Sequence, residues 1–237
     1  SESIRLPRFE DGKYSRGVVG LVTGSARYPG AAVLTARAAA RSNVGMIRYM
    51  GPQRTQGMVL DAVPEAVLGK GHVQSWVVGS GVPCGGDDAA GEDIQRGTIA
   101  ALLRHYALSE NDGADEARAM PPIVVDAGAL DLLPAHVPPQ VVVTPHAGEL
   151  ASLLNRLRGG DDRLLTARDI QAEPLRYATL AHGLTGATVL LKGAVTIVVG
   201  TDGEGRDRVM LSGRAPAWMG TAGSGDVLAA VLGALLA

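Results

Sequence analysis

The run Gly220-Thr221-Ala222-Gly223-Ser224-Gly225-Asp226 is the part of this sequence best suited to chemistry. Three glycines within six residues keep side chains away, so successive backbone N–H groups can converge on one point. The apolar stretch V-L-A-A-V-L-G-A-L-L-A follows at once and reads as a helix over Ser224–Leu236. Amides gathered at a helix N-terminus bind anions well, a phosphoryl oxygen above all. If a phosphate sits there, the Asp226 carboxylate stands where it can take a proton from an attacking hydroxyl. The plainer alternative is that Ser224 or Asp226 only caps the helix. A cap needs one glycine at most, and three glycines with Thr and Ser favour the anion site.

Other segments carry weaker signals. Pro145-His146-Ala147-Gly148-Glu149-Leu150 follows the run V-V-V-T. The carboxyl ends of parallel strands face the ligand crevice in open α/β sheets, so this is a favourable address. His146 and Glu149 can share a helix face, yet His146 can equally be a helix-start residue satisfied by local contacts. H-x-x-E alone does not make a zinc site, and with five His and one Cys no metal-ligand set is expected. Asp126, in V-D-A-G-A-L, can orient Mg²⁺ or a hydroxyl, or cap the short helix after it. Lys192, in K-G-A-V-T, reads as a ligand-facing lysine or as a solvated hairpin lysine. The loop G-S-A-R-Y-P-G-A-A (24–32) allows close ligand approach but is no Walker A loop, since Gly-Lys-Ser/Thr is absent from the chain. G-S-G-V-P-C (79–84) lacks the last glycine of a dinucleotide fingerprint and follows the wrong strand for one.

These motifs need elements to hold them. Short β-branched runs predict strands at 18–22, 46–49, 76–78, 123–126, 141–144, 189–192 and 196–199. Helices are predicted at 31–42, 88–105, 146–155, 166–185 and 224–236. Several strands are nearly unbroken apolar runs, as in a parallel sheet covered on both faces. The last two strands are separated by only three residues, too few for a crossover, so they should form an antiparallel hairpin. Segments 109–119 and 156–163 read as loops. The fold class is therefore layered α/β with right-handed crossovers.

Composition excludes more than it names. The 237 residues carry a formal charge of −2 and only 3% aromatics, which gives no footprint for nucleic acid or for an anionic membrane. The longest uncharged apolar run, 227–237, is far short of the ~20 residues of a membrane span. The one cysteine, Cys84, precludes an internal disulfide framework and suits a reducing, cytoplasmic compartment. Residues 1–16 are polar and basic, have no signal-peptide pattern, and read as an arm or linker before one domain over 17–237. The chain lacks an initiator Met and stops inside an apolar helical run, so it is expected to be truncated at its C-terminal end and to be part of a longer polypeptide.

Taken in order, G-S-A-R-Y-P-G-A-A, V-V-G-S-G, V-V-D-A-G-A-L, T-P-H-A-G-E-L with L-L-K-G-A-V-T, and G-T-A-G-S-G-D-V-L-A resemble the ADP/ATP-dependent NAD(P)H-hydrate dehydratases. These belong to the ribokinase-like superfamily, and the resemblance spans roughly residues 17–237. It implies a three-layer αβα ribokinase-like fold with a mostly parallel central sheet and an antiparallel hairpin near the C-terminal end. It also implies a hydro-lyase that repairs (S)-NAD(P)H hydrate, phosphorylating the ring hydroxyl and eliminating phosphate. ADP would then yield AMP, and Mg²⁺ would bridge the nucleotide. By matching motif, Ala31, Gly81, His146 and Asp226 would contact the hydrate. Lys192, Gly193, Ala194, Val195, Thr196 and Gly225 would hold the nucleotide. The amides of Ala222, Gly223, Ser224 and Gly225 would form the anion hole, with Asp226 as base. The family further implies a homo-oligomer, a tetramer in many members, and a fused or separate epimerase domain. The competing expectations are a vitamin or sugar kinase of the same superfamily and a nucleotide-binding regulator without catalysis. P-H-A-G-E favours the dehydratase, because the kinases share mainly the G-x-G-D end.

Overall fold

A computed structural model describes residues 6–85, 94–108, 114–159, 163–214 and 216–237. In chain order its elements begin β1 (Val18–Val22), α1 (Pro29–Ala40), β2 (Met46–Tyr49), α2 (Gln53–Ala62), β3 (Val67–Leu68), β4 (Ser75–Val78), α3 (Ile94–Arg104), α4 (Ala114–Ala119) and β5 (Ile123–Val125). After a 3₁₀ segment, Ala127–Leu132, come β6 (Val141–Val143), α5 (Ala147–Arg158), α6 (Ala167–Ala172), α7 (Pro174–Thr185), β7 (Thr188–Leu191), β8 (Ile197–Thr201) and β9 (Asp207–Leu211). A 3₁₀ turn, Ala217–Met219, then leads to α8 (Ser224–Leu236). The residues group into two compact units. The first comprises Ser1–Ala101, Pro121–Ala129 and Thr221–Ala237; the second comprises Leu102–Met120 and Leu130–Gly220.

In the first unit the strand order is β3-β2-β1-β4-β5, all parallel. All five residues of β1 are buried, as are Val77, Val78 and the whole of β5. That is why these strands read as unbroken apolar runs in the sequence. Helix α8 packs on α1 and on β1, β4 and β5. Its close approach depends on Gly233, where a Cβ would overlap the Val77 side chain. The Ser75 hydroxyl donates to the Gly233 carbonyl at 2.6 Å, fastening that end of the helix to β4.

In the second unit β6 runs parallel to β7, while β7–β8 and β8–β9 are antiparallel. The predicted hairpin is present, and β9 extends it by a strand that the sequence reading left out. All five residues of β9 are exposed. Helix α5 packs on α6 and α7, and α7 covers β7 and β8.

Several boundaries move, for local reasons. The predicted helix over 166–185 is two helices, because Pro174 cannot continue α6 and instead starts α7 at its first position. Helix α1 starts at Pro29 rather than Ala31 for the same reason. Segment 109–119, read as a loop, carries helix α4 at 114–119, and α5 runs on to Arg158 through residues also read as loop. Of the helix predicted over 88–105, α3 accounts for 94–104, and residues 88–93 lie outside the described residues.

Candidate functional site

Three of the glycine-bearing segments meet in the first unit, at the carboxyl ends of β1, β4 and β5. The Gly24 N–H donates to the Ser80 carbonyl at 2.7 Å, joining the loop after β1 to the loop after β4. The Ser80 hydroxyl donates to Asp126 Oδ2 at 2.9 Å, and both residues are buried. Asp126 therefore orients a hydroxyl belonging to the protein. Gly81, at φ +68, lies so close to α1 that an added Cβ would overlap that of Ala31. Ala31 and Gly81, both assigned from the sequence to one ligand, are thus direct neighbours.

Buried side chains fix the first of these loops from below. The Gln95 amide donates to the carbonyls of Thr23 (3.2 Å), Gly24 (3.3 Å) and Met50 (3.0 Å). The Tyr49 hydroxyl lies 2.8 Å from both Thr23 O and Thr55 Oγ1. Burial pushes the Tyr49 phenol up to about 12, partly offset by the Thr55 hydrogen bond, so it stays a neutral donor. Neither Gln95 nor Ser80 was singled out from the sequence. Nothing in their spacing marks them, because Gln95 satisfies carbonyls and Ser80 a carboxylate that only the folded loops bring within reach.

The glycine-rich run enters α8 as expected. Gly223 is the N-cap at φ +88, a left-handed conformation that suits glycine, and an added Cβ there would press on the end of the Leu34 side chain. The Val227 N–H donates to Gly223 O at 3.1 Å, closing the first helical turn. The Ser224 N–H reaches back to Thr221 O at 3.3 Å, and the Ser224 hydroxyl bonds the same carbonyl at 2.8 Å. Ser224 thus bonds backward to Thr221, and no side chain caps the helix. Asp226 lies in the first turn, and the helix dipole favours its negative charge there.

The second unit holds His146 and the Lys192–Thr196 segment. Lys192 N–H donates to Pro145 O at 2.8 Å, and a parallel bridge pairs His146 with Lys192. His146 is the N-cap of α5. Its Nδ1 accepts from the N–H groups of Gly148 (3.0 Å) and Glu149 (3.2 Å), while Glu149 Oε2 accepts the His146 N–H at 2.8 Å. This reciprocal capping box spends the acceptor nitrogen of the ring. With Nδ1 accepting, Nε2 is the donor nitrogen of the ring, and it lies 3.5 Å from Glu149 Oε1. Of the two readings its position allows, the local cap is the one this geometry shows. Glu149 also lies 3.7 Å from the Lys192 ammonium. The Thr196 N–H is held by the Ser212 hydroxyl at 3.0 Å, which fixes the far end of the segment.

A cavity of about 680 Å³ opens beside this cluster. His146, Lys192, Gly193, Ala194, Val195, Ile170, Gln171 and Pro174 are among the residues that line it. Its size suits a drug-sized or nucleotide-sized ligand. The α6–α7 wall was not anticipated from the sequence, since it depends on the break at Pro174.

Comparison with known proteins places this geometry in a family. A sequence model described as NAD(P)H-hydrate dehydratase matches residues 19–237. The chain belongs to the NAD(P)H-hydrate dehydratase family. Among the family's curated members, the Mycobacterium leprae bifunctional NAD(P)H-hydrate repair enzyme Nnr is 41% identical over 248 residues, covering 98% of this chain and 43% of that protein. An ADP-dependent (S)-NAD(P)H-hydrate dehydratase of Xanthomonas campestris is 35% identical over 234 residues, covering 96% of this chain and 74% of that one. The chain thus spans about two fifths of the bifunctional relative and three quarters of the single-function one. Among solved structures, an ADP/ATP-dependent NAD(P)H-hydrate dehydratase of Bacillus subtilis, co-crystallized with ATP/Mg²⁺, superposes with a TM-score of 0.68 at 20% identity. That match covers 98% of this chain and 76% of the Bacillus chain and establishes the ribokinase-like α/β fold expected from the motifs. Among the described residues no helix is long and apolar enough to cross a membrane.

Proposed function

We propose that this chain returns the hydrated form of NADH or NADPH to the reduced cofactor, consuming ADP or ATP. The observation that carries the reading is the second-unit cavity, lined by Lys192, a glycine-bearing loop and apolar side chains. Such a cavity suits a nucleotide in a chain 35% identical to an ADP-dependent (S)-NAD(P)H-hydrate dehydratase.

The chemistry follows from the side chains. Asp226 takes the proton of the ring hydroxyl as its oxygen attacks the terminal phosphoryl group, and AMP leaves if ADP is the donor. The carbon–oxygen bond to phosphate then breaks, the neighbouring ring carbon loses a proton, and the double bond returns. The net products are reduced cofactor, AMP and phosphate. Amides at Ala222–Gly225 stabilise the charge that builds on the phosphoryl oxygens. Gly225 and the Lys192–Thr196 segment hold the nucleotide. Ala31 and Gly81 shape the ring's contact surface, and the His146 Nε2–H donates a hydrogen bond to the hydrate.

Mg²⁺ fits as an ion carried by the nucleotide. Among the described residues no group of three or more His, Cys, Asp or Glu side chains could cage one, and magnesium held by phosphates and water needs no such cage. Bound there, it would neutralise phosphate charge. We place the enzyme in the cytoplasm as a homo-oligomer, a tetramer by family habit, working with a fused or separate epimerase domain. The bifunctional relatives support that last point.

Incubation with hydrated NADH, Mg²⁺ and ADP should restore the near-ultraviolet absorbance of reduced nicotinamide, and a parallel run with ATP sets the donor preference. No recovery with either nucleotide would overturn the reading.

A further inference from the structure

The unit-two cavity has a chemical polarity that orients its occupant. Lys192 and the loop from Gly193 supply the cationic side. Apolar residues line the cavity as well, among them Pro174, Leu191, Val195 and Ile197, with Ile170 fully buried behind them. Helix α6 brings Ala167 and Gln171, both exposed and at positions i and i+4, to the cavity. A nucleotide entering such a space can set its phosphates at the lysine and its flat, weakly hydrated base among the apolar residues.

Three polar side chains line the cavity: His146, Gln171 and Lys192. His146 has given its acceptor nitrogen to the α5 cap, and Lys192 is a donor only. Gln171 alone of the three offers a donor and an acceptor together. Its side chain is exposed and makes no hydrogen bond to the other described residues. An amide of this kind matches the edge of adenine, accepting from the 6-amino group and donating to a ring nitrogen.

We propose that Gln171 is a specificity-determining residue that reads the 6-amino edge of an adenine base in this cavity. The inference rests on the nucleotide reading above and adds to it the direction of the nucleotide and the group that recognises the base.

A cycle of two proteins and two ligands tests it, read by calorimetric binding rather than by turnover. Wild type and Gln171→Leu are each titrated with ADP and with purine riboside 5′-diphosphate, which lacks the 6-amino group. The expected result is that wild type binds ADP about 10-fold more tightly than the deaminated analogue, the scale of one good hydrogen bond. Gln171→Leu should bind the two ligands nearly equally, having lost affinity mainly for ADP. If the leucine variant keeps the wild-type preference for ADP, or weakens both ligands by the same factor, the proposal is overturned. If wild type binds neither ADP nor ATP, the nucleotide reading falls and takes this inference with it; a failure confined to the variant comparison removes only the role of Gln171.

Discussion

In the proposed reaction His146 would add a contact to the hydrate to its capping of α5, and the two tasks, on different ring nitrogens, can be separated by substitution. His146→Ala removes both the acceptor for the Gly148 and Glu149 amides and the Nε2–H that lies 3.5 Å from Glu149 Oε1. His146→Asn removes only the second, since asparagine is among the best N-cap residues and its side-chain oxygen reaches the same amides. Loss of a cap costs about 1 kcal/mol, within a range of roughly 0.5–2. For a chain of this length that lowers the thermal midpoint by about 2–4 °C per kcal/mol. Loss of one neutral hydrogen bond to the ligand, about 0.5–1.5 kcal/mol, raises the hydrate KM by roughly 2- to 10-fold. The alanine variant should therefore show both effects. The asparagine variant should unfold within about 1 °C of wild type, on the same cap scale, yet keep the raised hydrate KM. Differential scanning calorimetry and steady-state kinetics on the three proteins decide the matter. Equal destabilisation by Asn and Ala would remove Nδ1 from the cap. A wild-type hydrate KM in the Asn variant would mean that His146 acts only through helix α5.

Asp226→Asn should bind ADP as wild type does in calorimetry, while turnover falls by about 10² or more, the usual size of a general-base contribution; unchanged turnover would exclude Asp226 as the base. Gly81→Ala combines a φ of +68 with an overlap on Ala31, so the unfolding midpoint in urea should drop by the equivalent of about 1–3 kcal/mol. A midpoint equal to wild type would show that the two loops can part at no cost. Asp202 accepts the N–H groups of Glu204 (2.9 Å) and Arg206 (3.0 Å) and pairs with the guanidinium groups of Arg206 and Arg208. The Arg206 backbone bond foremost, then the Arg208 side chain, holds its carboxyl down at about 2. Since the folded value lies below the unfolded one, this stabilisation is full above about pH 5 and fades as pH falls from about 4 towards 2. Urea midpoints of wild type and Asp202→Asn should accordingly differ at neutral pH and converge in acid; a gap that is constant with pH would contradict the assignment.

How much of this was legible beforehand depends on what each element has to satisfy. Strands β1, β4 and β5 were evident because burial on both faces forces apolar runs. Strand β9, Asp-Arg-Val-Met-Leu, escaped because it lies exposed at the end of its sheet and pairs only with β8, so nothing imposes a pattern. Helix α2 escaped because its ten residues are largely polar, include Gly57, and bury only Thr55 and Val59. In the candidate site, the residues that present backbone or charge (Gly81, His146, Lys192, Gly223) were marked by glycine clustering and by strand-end position. The residues that hold those groups in place (Ser80, Gln95, Glu149) do so through contacts that exist only once the loops are folded. Glu149 came nearest to being read, since its i+3 spacing from His146 is also the spacing of a capping box.

Gly233 makes helix α8 a lever. Nine residues separate it from Ser224, roughly 13 Å at about 1.5 Å per residue. The helix is clamped beside β4 at Gly233 and aims its first-turn amides from the other end. A methyl group placed at Gly233 would push one end off Val77 and swing the glycine-rich end in compensation. In a mutational scan this position would register as a catalytic defect although no reactant comes near it. The smallness of the buried face of α8, with Ala229, Ala230, Gly233 and Ala234, is thus an aiming constraint, and drift there would blunt activity before it unfolded the chain.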